Sequence, residues 1–312
     1  MLKVLYLPIG SQPGTEDAFK NVGVNLSVYD FQKDRGNSFL QKVKSYKPDL
    51  IHMQLQMTNA ISPDVVAKAR EIVPNVVMTN WTGDIRKRPS SYFVSISKVV
   101  GFSLLSHVGQ IELYKKSGCR NPRYWQIGYD TKRYFPKNQK SFEYKVSFAA
   151  NTYGKNLFPD SALRKNIAGL LKNEFGDAFG LFGSGYPPHW NSKVVDITTT
   201  NDVYNNSACV LSVSHFNDVS HYFSDRLLMC LASGRPTIAY RFPGYQSYFA
   251  DKDDILIAQN PGHVNELVKF CINNPEEATR IGQNGFRKVN AEHSFTSRII
   301  ELLTMTNLIH KV

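Results

Sequence analysis

Residues Phe223–Gly244, FSDRLLMCLASGRPTIAYRFPG, leave the chain few choices of local structure. Ser224 can cap a helix, because its hydroxyl accepts from an orphan amide of the first turn. Leu227, Leu228, Leu231 and Ala232 then share one face at helical spacing. Gly234 stands where a helix end calls for a left-handed residue. Pro236–Tyr240 reads as a buried strand, and Phe242-Pro243-Gly244 as the turn that closes it. Asp225 and Arg226 lie at the helix start. Free amides, the positive end of the dipole and a forked guanidinium together suit an anion there. An ordinary crossover with a surface ion pair would show the same residues.

Strand and helix alternate along the rest of the chain. Lys3–Leu7 is a short apolar strand, followed by Gly10-Ser11-Gln12-Pro13-Gly14. That loop either lets a ligand approach the backbone at Gly10 or is a plain turn; the dinucleotide spacing G-x-G-x-x-G is absent. Val24–Tyr29 and Leu50–Gln54 are further strands, with a helix over Ser38–Tyr46 between them. His52 lies near the end of the latter strand, where a lone histidine is more often a core residue than a catalytic one. Pro63–Val73 is amphipathic, Asn75–Asn80 is a strand, and 106–119 is a helix with Ser106 as cap. Tyr124–Tyr129 reads as a strand. After the polar, basic run Pro136–Tyr144 come strands at Lys145–Ala150 and Phe179–Phe182 around a helix over Asp160–Phe175. A short helix at Asn201–Ser207 and a strand at Cys209–Ser214 lead back to the opening stretch. Such alternation implies parallel sheets, with ligands gathering beyond the carboxyl ends of the strands. The boundary near residue 140 divides the chain into domains 1–140 and 141–312.

Trp81-Thr82-Gly83-Asp84-Ile85-Arg86 follows one such strand end. Asp84, beside an aromatic residue and a glycine, is the best general-base candidate. The alternative is a helix cap or a partner for Arg86.

Lys and Arg outnumber Asp and Glu by 37 to 26, and the surplus is one-sided. Residues 1–140 carry 21 basic and 10 acidic side chains, whereas 141–312 carry 16 of each. Arg86-Lys87-Arg88, Lys115-Lys116 and Lys132-Arg133 are among the clusters. Segregation of this size suggests an anionic partner for the first half. The alternative is a solubilising surface, which does not require segregation. Cys119, Cys209, Cys230 and Cys271 form no CxxC pair and read as reduced thiols of a cytoplasmic protein. No apolar run reaches the ~18 residues of a membrane span, and the opening MLKVLYLPIG is a strand rather than a signal peptide.

Asp225, Arg226, Ala232, Gly234 and Pro236 resemble the donor-binding signature of GT-B glycosyltransferases, in particular the spore-maturation-like group. Downstream, FPGYQSYF, DILIA, the helical run 265–289 and AEHSF fit the same pattern, so the resemblance covers roughly the last third of the chain. W-T-G-D-x-R at 81–86 and "G-x-D…F-x-P" at 128–136 are similar to corresponding segments. The resemblance implies two Rossmann-like α/β domains facing a cleft, the last helix packing back on the first. It implies a nucleotide-sugar, UDP-linked, bound by the second domain through Asn151, Arg164, Gly183, Tyr186, Ser214, Ser224, Asp225 and Arg226. No further cofactor and no metal are implied, although His215, Asp218, His221 and Asp225 invite a metal reading. Two departures concern the ribose: Met229 and His221 stand where the family usually carries glutamates.

The expected activity is sugar transfer to a hydroxyl. Arg226 would stabilise the departing diphosphate, and Asp84 would take the acceptor proton if the reaction inverts. Gly10, Trp81, Arg86, Lys87 and Arg88 would contact the acceptor. The basic first half favours DNA whose bases carry a hydroxymethyl group, with Trp81, Tyr92 or Tyr129 stacking a flipped base. A glycan or lipid-linked acceptor at a membrane surface is the alternative, and it predicts exposed apolar residues among the basic ones. A non-catalytic nucleic-acid-binding relative is the third reading.

Overall fold

The structure, a computed structural model, describes residues 1–34, 36, 38–56, 61–139, 141–154 and 158–312. The chain divides into two units, Met1–Gly128 with Phe295–Val312, and Tyr129–Ser294. Each is built on a parallel sheet with helices on its faces.

In the first unit the apolar runs become β1 (Lys3–Leu7), β2 (Asn25–Val28), β3 (Leu50–Met53), β4 (Val77–Thr82), β5 (Phe102–Leu105) and β6 (Pro122–Tyr124). They pair in the order β2-β1-β3-β4-β5-β6. β3 is buried along its whole length, as expected of a parallel strand covered on both faces. Phe39, Val43, Val66 and Ala69 cover one face with Ile51 and Met78. Phe19, Ile299, Leu302 and Leu303 cover the other with Val4 and Leu50. The last three come from the helix Phe295–Met305, tied to the end of the sheet by Trp125 Nε1–H donating to the Arg298 carbonyl at 2.9 Å.

Three local expectations change here. Pro13–Asn21 is a helix with proline in its first turn, so the helix begins inside the stretch read as a loop. The helix expected over 106–119 is confined to Ile111–Lys116. Ser106 does not cap it, because its hydroxyl donates instead to the Gly83 carbonyl at 3.0 Å. The strand expected at Tyr124–Tyr129 ends at Tyr124, after which Trp125 turns inward, edge-on to Trp81 with ring centres 5.6 Å apart.

The second unit holds β7 (Tyr144–Ala149), β8 (Phe179–Phe182), β9 (Ser207–Ser212), β10 (Thr237–Tyr240) and β11 (Leu256–Ala258), in the order β11-β10-β9-β7-β8. The strand order therefore reverses between β7 and β9, and the carboxyl ends on either side of such a reversal frame a crevice. Residue 140, the expected domain boundary, lies outside the described residues. The segment before it is pinned to the second unit. Asn201 and Asn205 both donate to the Phe135 carbonyl at 3.1 Å, Lys137 pairs with Asp202, and Pro136 lies against Gly234.

Candidate functional site

Arg164, in the helix Ser161–Phe175, points into the crevice between β7 and β9 and ties the two strand ends together. Its Nε and Nη2 donate to the Val213 carbonyl at 2.9 and 2.6 Å, and Nη1 donates to the Asn151 carbonyl at 2.7 Å. Nη1 also lies 2.6 Å from His215 Nε2. A guanidinium has only hydrogens to offer, so that imidazole nitrogen accepts and His215 is neutral. Burial, then the positive charges of Arg164 and Arg226, push His215 down to about 3. Burial and the neighbouring Arg226 lower Arg164 to about 9.

Arg226 opens the helix Asp225–Ala232. Its Nε donates to the Ala149 carbonyl at the end of β7 at 2.6 Å, and Nη1 lies 3.4 Å from Ser224 Oγ. Neither Arg226 nor Arg164 makes an ion pair among the described residues. Two guanidiniums with no carboxylate partner, close enough that the charge of Arg226 depresses Arg164, make a strongly positive locus. Above it lies a cavity of about 490 Å³, lined among others by Asn151, Gly183, Thr200, Asp225, Arg226 and Met229. Its size falls within the range of small-molecule sites, roughly 300–1,000 Å³.

The structure sorts the expected donor residues by what each can still reach. Asn151, Gly183, Asp225 and Arg226 line the cavity. Arg164 does not: it is 1% exposed, and four of its five N–H groups are already engaged. It positions the strand ends and adds charge from below. Gly183 has φ +125, and an added Cβ would strike the Ala150 carbonyl, so the glycine serves loop-to-loop contact as well as lining the cavity. There Ser184 N–H donates to Asn151 Oδ1 at 2.8 Å and Thr152 N–H to the Ser184 carbonyl at 2.9 Å. Ser224 holds the N-cap position, but its hydroxyl accepts no helix amide. The backbone N–H of Ser224 donates to Ser214 Oγ at 3.3 Å, which fixes the loop before the helix. Tyr186 is buried with its hydroxyl unpaired among the described residues, and burial raises its pKa while Arg164 and Arg226 counter that rise. His215 is the residue that sequence reasoning missed in this role. Among the described residues no three His, Cys, Asp or Glu side chains converge to hold a metal ion.

In the first unit Asp84 is exposed and pairs with Arg86 at 3.1 Å. Lys87 and Arg88 are exposed beside it, and Gln110 Nε2–H donates to the Arg86 carbonyl at 3.0 Å, tying this loop to the next. Gly10 is exposed at φ +67 with open space where a Cβ would stand, and its N–H donates to Gln32 Oε1 at 2.9 Å. Trp81 does not offer a stacking face. The residue is 8% exposed, its Nε1–H donates to the Trp125 carbonyl at 3.2 Å, and Gly83 sits against its ring. Tyr129 is likewise buried, at 1%. The hydroxyl of Tyr92 is engaged by the backbone of Ile61.

Residues 163–304, which contain this cavity's helix Asp225–Ala232, match the family described as glycosyl transferase-like. The fold matches that of GT-B glycosyltransferase structures, while the family match covers less than half of the chain. Among solved structures the chain is similar to HepE of Anabaena in complex with UDP and glucose, at 12% identity and TM-score 0.62, covering 98% of this chain and 100% of that one. It is similar also to sucrose-phosphate synthase of Thermosynechococcus elongatus, at 13% identity and TM-score 0.63, covering 100% of each. A glycosyltransferase of Rickettsia africae matches at 11% identity and TM-score 0.62, over 99% of each chain. At such identities the likeness is one of fold. No curated protein matches the chain.

Proposed function

We propose that the chain transfers a sugar from a UDP-linked donor, held in the second unit, to a hydroxyl of an anionic acceptor held by the first. The observation that carries the donor half is the pair of guanidiniums without carboxylate partners at the β7/β9 crevice. As the sugar leaves, charge develops on the diphosphate. Arg226 and the amides opening the helix Asp225–Ala232 are placed to neutralise it, each charge-assisted hydrogen bond being worth ~2 kcal/mol. Met229 lines the same cavity without a strong hydrogen-bonding group, so the diphosphate rather than the ribose would supply most of the grip.

Charge supports the acceptor half. The first unit carries 19 Lys and Arg against 10 Asp and Glu, a net of +9, and Arg86, Lys87 and Arg88 are exposed beside Asp84. Asp84 is the proposed base for an inverting reaction. Hydroxymethylated DNA remains an acceptor on charge alone, now without Trp81 or Tyr129 as stacking rings. A membrane-surface acceptor is favoured by one further observation. Val108 and Leu113, each 36% exposed, lie in the segment that carries Lys115 and Lys116.

The test is nucleotide release from UDP- and GDP-sugars by the purified chain. Each donor is offered with hydroxymethylated duplex DNA, unmodified DNA, anionic lipid vesicles carrying a glycolipid, or no acceptor. Release from a UDP-sugar that depends on one anionic acceptor and is lost in Asp84→Asn supports the proposal. Binding of DNA with no nucleotide-sugar bound or consumed would mark a non-catalytic nucleic-acid-binding protein instead.

A further inference from the structure

A second cavity, of about 750 Å³, lies over the carboxyl ends of β10 and β11 in the second unit and shares no lining residue with the first. Its wall is firmly built. Phe242 is 4% exposed and packs on Phe223 and Tyr245, with ring centres 5.6 and 6.1 Å away. The turn at Gly244 takes φ +85 and lies so close to the His221 ring that an added Cβ would stand 2.6 Å from it. Asp160 Oδ2 accepts from the backbone and side-chain amides of Asn217 at 2.8 and 2.9 Å, which anchors the loop after β9 to the start of the helix Ser161–Phe175.

What this frame presents to the cavity is unused hydrogen-bonding capacity beside aromatic faces. The side chains of Asp218, Tyr240, Tyr245, Gln246 and Gln259 line it and make no hydrogen bond among the described residues. Asp160 keeps Oδ1 free as well. Carboxylates accept, amides and phenols both donate and accept, and the half-buried tyrosine rings offer apolar faces. The charges on the lining are Asp160 and Asp218 against Arg241, a net of one negative. That balance disfavours phosphates and other anions, in contrast to the cavity edged by Arg226. A ligand that matches carboxylates, amides and aromatic faces together, without charge, is a polyhydroxylated ring, whose hydroxyls pair at its edge and whose C–H face stacks.

We propose that this cavity is a second binding site, for a neutral saccharide. It would hold part of a glycan on the second unit independently of the nucleotide, and it does not rest on the donor or acceptor readings above.

Saturation-transfer NMR on the full chain tests this, with maltotetraose, cellotetraose and methyl N-acetylglucosaminide as neutral probes and glucose 6-phosphate as the charged one. Every titration is repeated with excess UDP. The proposal expects at least one neutral probe to receive saturation, UDP to leave that signal unchanged, and the charged probe to bind more weakly. Tyr245→Ala and the double variant Gln246→Ala/Gln259→Ala should each weaken the neutral probe about tenfold. The thermal unfolding midpoint, measured on the same samples, should stay as in the parent and reports that the variants are folded. The site is overturned if no neutral probe receives saturation, if UDP displaces it, or if folded variants bind it as the parent does. Stronger binding of the charged probe, weakened by Tyr245→Ala, would overturn the neutral class.

Discussion

Arg164 is buried at 1% exposure with no carboxylate to offset it, yet its charge is carried by two backbone carbonyls and a neutral imidazole. Removing its partner His215 would leave one donor without an acceptor. Met229 lies four residues into the helix from Asp225, one turn or ~6 Å along the same face. A thioether is a weak acceptor, so a ribose hydroxyl there gains little. UDP and 2′-deoxy-UDP are therefore expected to bind within about threefold of each other, whereas Met229→Glu should open a preference of about tenfold for UDP, ~1.4 kcal/mol. Competitive titration of the two nucleotides checks this; a strong ribose preference in the parent would remove Met229 from the account.

Histidine burial sets a pH dependence at the same scale. Burial pushes His52 down to about 3 and His107 to about 4, and His215 is held at about 3. The unfolded chain takes up these protons near pH 6.5, so below that value protons favour unfolding. Stability should be full above about pH 6.5 and fall as the pH drops toward the folded values, by up to ~1.4 kcal/mol per pH unit for a fully buried histidine. Urea midpoints measured across this range should decline, and His52→Asn should flatten the slope. A midpoint indifferent to pH over that window would show that the imidazoles are not held neutral.

At the scale of elements, the helix Pro275–Glu292 steadies the loop that follows Asp225–Ala232. Gly282 and Gly285 both face close neighbours. A Cβ on Gly282 would stand 2.5 Å from the Gly234 carbonyl oxygen and 2.7 Å from the Arg235 carbonyl carbon. Glycine inside a helix costs roughly 1 kcal/mol relative to alanine, and here the close crossing explains its presence. Gly282→Ala is expected to lower stability by ~1–3 kcal/mol, because overpacking against backbone outweighs the gain in helix propensity. Thermal unfolding should show a drop of several degrees; an unchanged or raised midpoint would mean the two helices can part at no cost.

What the sequence shows of these elements follows from the range of the forces that make them. β7, β8 and β10 are legible as short apolar runs between turn residues, and Gly234 at φ +72 ends its helix as its position suggests. The helix Pro13–Asn21 is hidden because its opening, Pro13-Gly14, carries turn chemistry. Trp81 and Tyr129 look available beside basic residues, and only tertiary packing buries them. Arg164 and His215 are 51 residues apart and meet because β7 and β9 are neighbours, which no local pattern reports.

For the whole molecule, charge and chemistry divide between the two units. The first carries a net +9, and the second, with 18 basic and 16 acidic residues, carries +2. Yet the second unit brings Arg164 and Arg226 together with no carboxylate partner among the described residues, so a nearly neutral body presents one concentrated positive site. Under the proposed function, that concentration would make the diphosphate the part of the donor the protein grips. The most direct measurement is calorimetric titration of UDP and of uridine into the parent chain and into Arg226→Ala. The account predicts that UDP binds the parent at least about tenfold more tightly than uridine, and that Arg226→Ala removes most of that difference while uridine binding is unchanged. Equal binding of UDP and uridine by the parent, or full UDP affinity in Arg226→Ala, would contradict it.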